Sequence, residues 1–203
     1  MQPAVRYGPE PRSARLTVVA VHGRGASAAD ILSLARELRV GDIAFVAPEA
    51  AGRTWYPYSF LAPAADNEPY LSSALGLLDR IVGDLQSAIG TERIALLGFS
   101  QGACLSLEYA ARHAQRFAAI VGLSGGLIGP PGTPREYAGS LAGTPVFLGC
   151  SDVDPHIPLE RVHETADVLS RLGASVDERI YPQMGHLVNE DEIEAVSKLL
   201  SPT

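Results

Sequence analysis

Short, almost unbroken apolar runs punctuate the chain at Leu16 to Val21, Ile43 to Ala47, Ile94 to Leu97, Ala118 to Leu123, Val146 to Leu148 and Val176 to Tyr181. Runs of this length suit strands buried on both faces of a parallel sheet. Between them, apolar positions recur with helical spacing over about Ala28 to Leu38, Tyr70 to Ile89, Gln101 to His113 and Leu159 to Leu172, and again over Glu190 to Leu200. Strand and helix therefore alternate, which predicts a doubly wound, mostly parallel α/β sheet with helices on both faces. Six strands follow from the runs. A seventh, at an edge near Ala4 to Tyr7, would have to end before Pro9 and Pro11.

The third run leads directly into Gly98-Phe99-Ser100-Gln101-Gly102 and then into a helical pattern. A serine on so sharp a strand-to-helix turn must take a strained backbone conformation. Glycines two positions either side let strand and helix approach each other. This is the setting of a nucleophile elbow, with Ser100 exposed above the sheet. A serine hydroxyl is a weak nucleophile at neutral pH, so it needs a base and a group to orient that base. His186, in YPQMGH, follows the sixth run and is the candidate base. Asp154, in SDVDPHIP, follows the fifth and is the candidate acid, because Pro155 and Pro158 stiffen the chain around it. Asp152 shares that loop and could also reach the imidazole; its simpler role is loop capping. The chain order Ser, Asp, His is the one this fold uses.

The loop after the first long run, His22-Gly23-Arg24-Gly25, is where such a fold supplies a backbone N–H to an oxyanion hole. Arg24 N–H and Gln101 N–H are the expected donors. The Arg24 side chain reads first as a salt-bridge partner and second as a substrate contact, and His22 as a packed histidine that fixes the loop. Two loops are rich in Gly and Pro, Pro48 to Pro69 and Ser124 to Thr144. The first holds Trp55, Tyr56, Tyr58 and Phe60, an aromatic cluster that either caps the core or walls a pocket. Trp55, Tyr56 and Phe60 are the candidate substrate-binding residues. His113 suits the C-terminal end of its helix. His156 and His163 lack metal-binding spacing and are assigned to the surface or to loop packing.

At 203 residues, 46% hydrophobic and 19% charged, the chain suits one domain over residues 1–203. A net charge of −7 argues against nucleic acid or an anionic membrane as partner, since both reward clustered Lys and Arg. A neutral or weakly charged substrate fits better, here a small-molecule ester. No apolar run is long enough to span a bilayer, and the N-terminal residues have no signal-like apolar segment, which points to a cytoplasmic protein without stable membrane insertion. Cys104 and Cys150 both lie in apolar surroundings and read as buried thiols. The chemistry calls for no metal or cofactor, and exposed sheet edges are compatible with a homodimer.

These segments resemble the phospholipase/carboxylesterase group of α/β hydrolases, which includes acyl-protein thioesterases and small bacterial carboxylesterases. HGRGAS at 22–27, TWYPYSF at 54–60, GFSQGA at 98–103, SDVDPHIP at 151–158 and YPQMGH at 181–186 carry the likeness in the right order. The resemblance implies an α/β-hydrolase fold without a separate lid domain and hydrolysis of carboxylic or thioester bonds by Ser100, Asp154 and His186. It also implies that the Trp55 loop borders the acyl site. Arginine at position 24, where the eukaryotic thioesterases usually have leucine, makes the chain similar to the bacterial carboxylesterase branch. The function expected is a serine carboxylesterase for small to medium acyl esters. A thioesterase or lysophospholipase using the same residues is the alternative, ahead of a non-catalytic binder of the same fold.

Overall fold

The computed structural model describes residues 4–202. Seven strands form one sheet in the order β1-β3-β2-β4-β5-β6-β7. They are β1 (Val5–Tyr7), β2 (Leu16–Val21), β3 (Ile43–Ala47), β4 (Ile94–Phe99), β5 (Ala119–Leu123), β6 (Pro145–Ser151) and β7 (Ser175–Tyr181). All neighbours pair in parallel except β1, which runs antiparallel along β3 with Val5 opposite Ala47. The seven-stranded, mostly parallel sheet and its flanking helices are the architecture of an α/β hydrolase.

Among the described residues five α-helices cover the sheet: α1 (Ala28–Glu37), α2 (Tyr70–Ile89), α3 (Gln101–Arg112), α4 (Leu159–Arg171) and α5 (Glu190–Leu200). Alternate residues of each strand point to opposite faces, which divides the core in two. Leu16, Val18 and Ala20 of β2 pack with α1 and α5, while Val19 and Val21 pack with α2, α3 and α4. Burying β2, β3, β4 and β5 on both sides explains why their runs carry so little polar alternation.

The last strand departs from that pattern. Val176 to Tyr181 was expected as a buried strand, yet β7 is the sheet's outer strand and reads SVDERIY with every residue at least partly exposed. Its charges have local partners: Glu178 meets His163 of α4, and Arg179 meets Asp177 and Asp191. A charged outer strand resists pairing with another sheet.

In a parallel sheet every strand ends on the same rim, and ligands bind there. The loops after β2, β4, β6 and β7 carry Arg24, Ser100, Asp154 and His186 respectively. Topology therefore gathers residues separated by up to 162 positions in sequence onto one edge.

Candidate active site

Ser100 sits between β4 and α3 with φ 56° and ψ −121°, a left-handed conformation that costs a non-glycine residue roughly 1–3 kcal/mol. The glycines around it are required sterically. A Cβ on Gly98 would strike the Gly102 carbonyl, and one on Gly102 would strike the carbonyls of Val21 and His22. Although Ser100 occupies the N-cap position of α3, its hydroxyl makes no capping bond. It meets His186 Nε2 at 2.9 Å instead.

His186 Nδ1 lies 2.7 Å from Asp154 Oδ2. The other carboxylate oxygen of Asp154 accepts the backbone N–H groups of His156 at 2.8 Å and Ile157 at 3.1 Å. Burial alone would raise the Asp154 pKa, but the bonds from His186 and from these two N–H groups outweigh it and hold the carboxyl below its ordinary 3.8. An ionised Asp154 can only accept, so His186 donates from Nδ1 and its Nε2 lone pair faces the Ser100 hydroxyl. Asp152 takes the lesser role: its Oδ1 accepts Gln183 N–H at 2.8 Å, and Ser151 Oγ accepts Gly185 N–H at 2.9 Å. These two bonds fix the turn that delivers His186.

The loop after β2 approaches the serine closely, since a Cβ on Gly23 would stand 3.3 Å from Ser100 Cβ. Gln101 N–H belongs to the first turn of α3, whose donors have no intrahelical acceptor. His22 is structural, as expected. Its Nε2 accepts Ala50 N–H at 3.1 Å, which leaves Nδ1–H to donate to Gly23 O at 2.7 Å.

A cleft of about 400 Å³ opens over Ser100 and His186, lined also by Tyr56, Phe60 and Gln101. Two of the three aromatic candidates are thus in its wall. Trp55 is not. It faces a separate cleft with Tyr70 and Leu77, its indole tilted against the His22 ring at 4.8 Å between centroids and donating to His22 O at 2.8 Å. The reason is the Gln101 side chain, whose Oε1 accepts Trp55 N–H at 3.0 Å and whose Nε2 donates to Tyr56 O at 2.9 Å. That clamp turns Tyr56 towards the cleft and Trp55 away from it.

Arg24 also differs from expectation. Instead of a salt bridge it donates to two backbone carbonyls, Pro57 O at 2.7 Å and Tyr58 O at 2.6 Å, and it lines the cleft. His156, assigned to surface or loop packing, lines the cleft as well and meets the His186 ring edge-on at 4.8 Å. Its position two residues after Asp154 was the only signal in the sequence. His163 pairs with Glu178 at the surface, and His113 stacks on Tyr109 at the end of α3. Both cysteines are free and buried. Burial pushes the Cys104 thiol, at the cleft floor, up to about 12, so it stays protonated and offers Ser100 no competition.

The family model for Phospholipase/Carboxylesterase matches residues 5–203. The chain belongs to this family. It is 40% identical to a solved phospholipase/carboxylesterase from Dyadobacter fermentans, covering 98% of this chain and 95% of that one with a TM-score of 0.93. Acyl-protein thioesterase 1 of Neurospora crassa is 26% identical over 91% of this chain and 85% of its own length. The Zea mays acyl-protein thioesterase 2 structure shares the fold at 22% identity, with a TM-score of 0.77 over 97% of this chain and 96% of that one. The family is one of esterases and thioesterases. Among the described residues no helix is long and apolar enough to cross a membrane.

Proposed function

We propose that this family member is a serine carboxylesterase that cleaves small to medium acyl esters through an acyl-enzyme. The observation that carries the reading is the unbroken relay from Asp154 to His186 to Ser100, at 2.7 and 2.9 Å, at the floor of a cleft. His186 Nε2 takes the Ser100 proton as Oγ attacks the ester carbonyl, and Asp154 supports the imidazolium that forms. The carbonyl oxygen becomes an anion held by Arg24 N–H and Gln101 N–H, each worth on the order of 3 kcal/mol. His186 then protonates the leaving alcohol, and a water attacks the acyl-enzyme by the same route. No metal or cofactor is needed at any step.

The second reading is thioester hydrolysis at the same site, favoured by the name of the Neurospora relative, an acyl-protein thioesterase. Hydrolysis of p-nitrophenyl esters from acetate to palmitate, beside matched thioesters, separates the two. A carboxylesterase with this cleft loses rate as the acyl chain lengthens, and Ser100→Ala loses activity on every member. Retained activity in Ser100→Ala would refute both readings, and a preference for long thioesters would favour the second.

A further inference from the structure

We propose that the cleft selects esters bearing a second, ionised carboxylate, and that the Arg24 guanidinium is the group that selects them; this rests on Ser100 acting as the esterase nucleophile. The side chain is held in place at the cleft wall by Pro57 O and Tyr58 O, through one N–H of each terminal nitrogen. Among the described residues, three of the five guanidinium donors have no protein acceptor. The carbonyls orient the group and leave its charge uncancelled. Among the described residues no carboxylate pairs with it.

The rest of the cleft agrees with a positive field. Its lining contains neither Asp nor Glu, and its other ionisable side chains are His156, His186, Tyr56, Tyr58 and Cys104. Asp154 stands behind His186 and is already committed to four hydrogen bonds, from His186, the Cys150 thiol and the His156 and Ile157 N–H groups. In a chain of net charge −7, an arginine-walled cleft without acids runs against the average surface and attracts anions locally. A latch for two carbonyls needs donors but no charge, so the latch alone does not account for arginine.

Position sets the kind of substrate. Arg24 is proposed to bind the reacting oxygen through its backbone N–H. Its guanidinium therefore lies no farther from the scissile carbonyl than one arginine side chain. A carboxylate a few methylenes from the ester would meet a planar fork matched to its own geometry. Half-esters of short dicarboxylic acids have this form, and they suit a cleft of about 400 Å³.

The test compares mono-p-nitrophenyl glutarate with p-nitrophenyl pentanoate, which match in length and differ in the terminal carboxylate. For the wild-type protein at low salt, kcat/KM should favour the glutarate by about fivefold, the size expected of a guanidinium pair at an exposed rim. Added salt should shrink that ratio. Arg24→Leu should bring the ratio to about one or below, and Arg24→Lys should keep part of the preference. The ratio removes any general damage from losing the Pro57 and Tyr58 latch, because both substrates share it.

A wild-type ratio of one or less would overturn the proposal, even if Arg24→Leu proved unfoldable. So would an Arg24→Leu protein in which both rates fall together, which would make the side chain a latch only. Either result leaves the esterase reading standing if pentanoate is hydrolysed by wild type and not by Ser100→Ala. Failure of that control is failure of the esterase reading itself.

Discussion

Replacing Glu192 with Gln should change how the fold's stability depends on pH. Glu192 is at the third position of α5 and is fully buried; its Oε2 accepts Asn189 N–H at 2.9 Å, closing a capping box. The other oxygen, Oε1, is buried without a hydrogen-bond partner and faces the Gly149 backbone of β6. Burial pushes the carboxyl up from 4.5 to about 7, with a smaller push from the Asp191 charge, against the opposing pull of the Asn189 N–H. The folded protein therefore holds this proton over a range of pH where the unfolded chain has lost it. The stabilisation is full below about 4.5 and is lost as pH rises through about 7. At about 1.4 kcal/mol per tenfold change in proton affinity, the loss is about 3 kcal/mol by pH 8. Glutamine keeps an acceptor for the Asn189 N–H and never ionises. Urea unfolding of both proteins from pH 4.5 to 8 should show the stability of Glu192→Gln rising relative to wild type by about 3 kcal/mol across the series. A difference between the two proteins that stays constant with pH would refute the reasoning.

Three further substitutions probe other parts of the account. Gln101→Ala strands the buried Trp55 N–H, at roughly 1–3 kcal/mol, and leaves the Tyr56 carbonyl with the Thr54 hydroxyl as its donor, so it should lower the urea midpoint and raise KM because Tyr56 lines the cleft. Gly102→Ala would drive a methyl into the Val21 and His22 carbonyls, so it should cost several kcal/mol and abolish esterase activity, read by thermal unfolding and turnover. Asp154→Asn should keep the fold and lower kcat by about 10⁴-fold, because the wrong imidazole tautomer then faces Ser100; a near-normal kcat would remove Asp154 from its role.

What the sequence made legible was mostly local. The buried strands follow from unbroken apolar runs, and GFSQG predicts a strained serine because its steric demands lie within five adjacent residues. The order of Ser100, Asp154 and His186, each after a strand, was sufficient to bring them to one rim. The errors concern facing directions set by distant residues. The position of β7 at the sheet edge depends on strand order, which makes Asp177, Glu178 and Arg179 ordinary edge charges. The direction of Trp55 depends on the Gln101 clamp and on the His22 carbonyl, 33 residues away. Arg24 was expected to find an acid, but the loop at Pro57 and Tyr58 offers it carbonyls. His156 touches His186 only because two separate loops meet.

The central claim is that Ser100 is a nucleophile activated by His186. Labelling with a fluorophosphonate, followed by mass mapping of the modified peptide, tests it most directly. One adduct on Ser100 of the wild-type protein, with labelling slowed by orders of magnitude in His186→Ala, is the expected result; an adduct at another residue, or equal labelling rates in the two proteins, would contradict it.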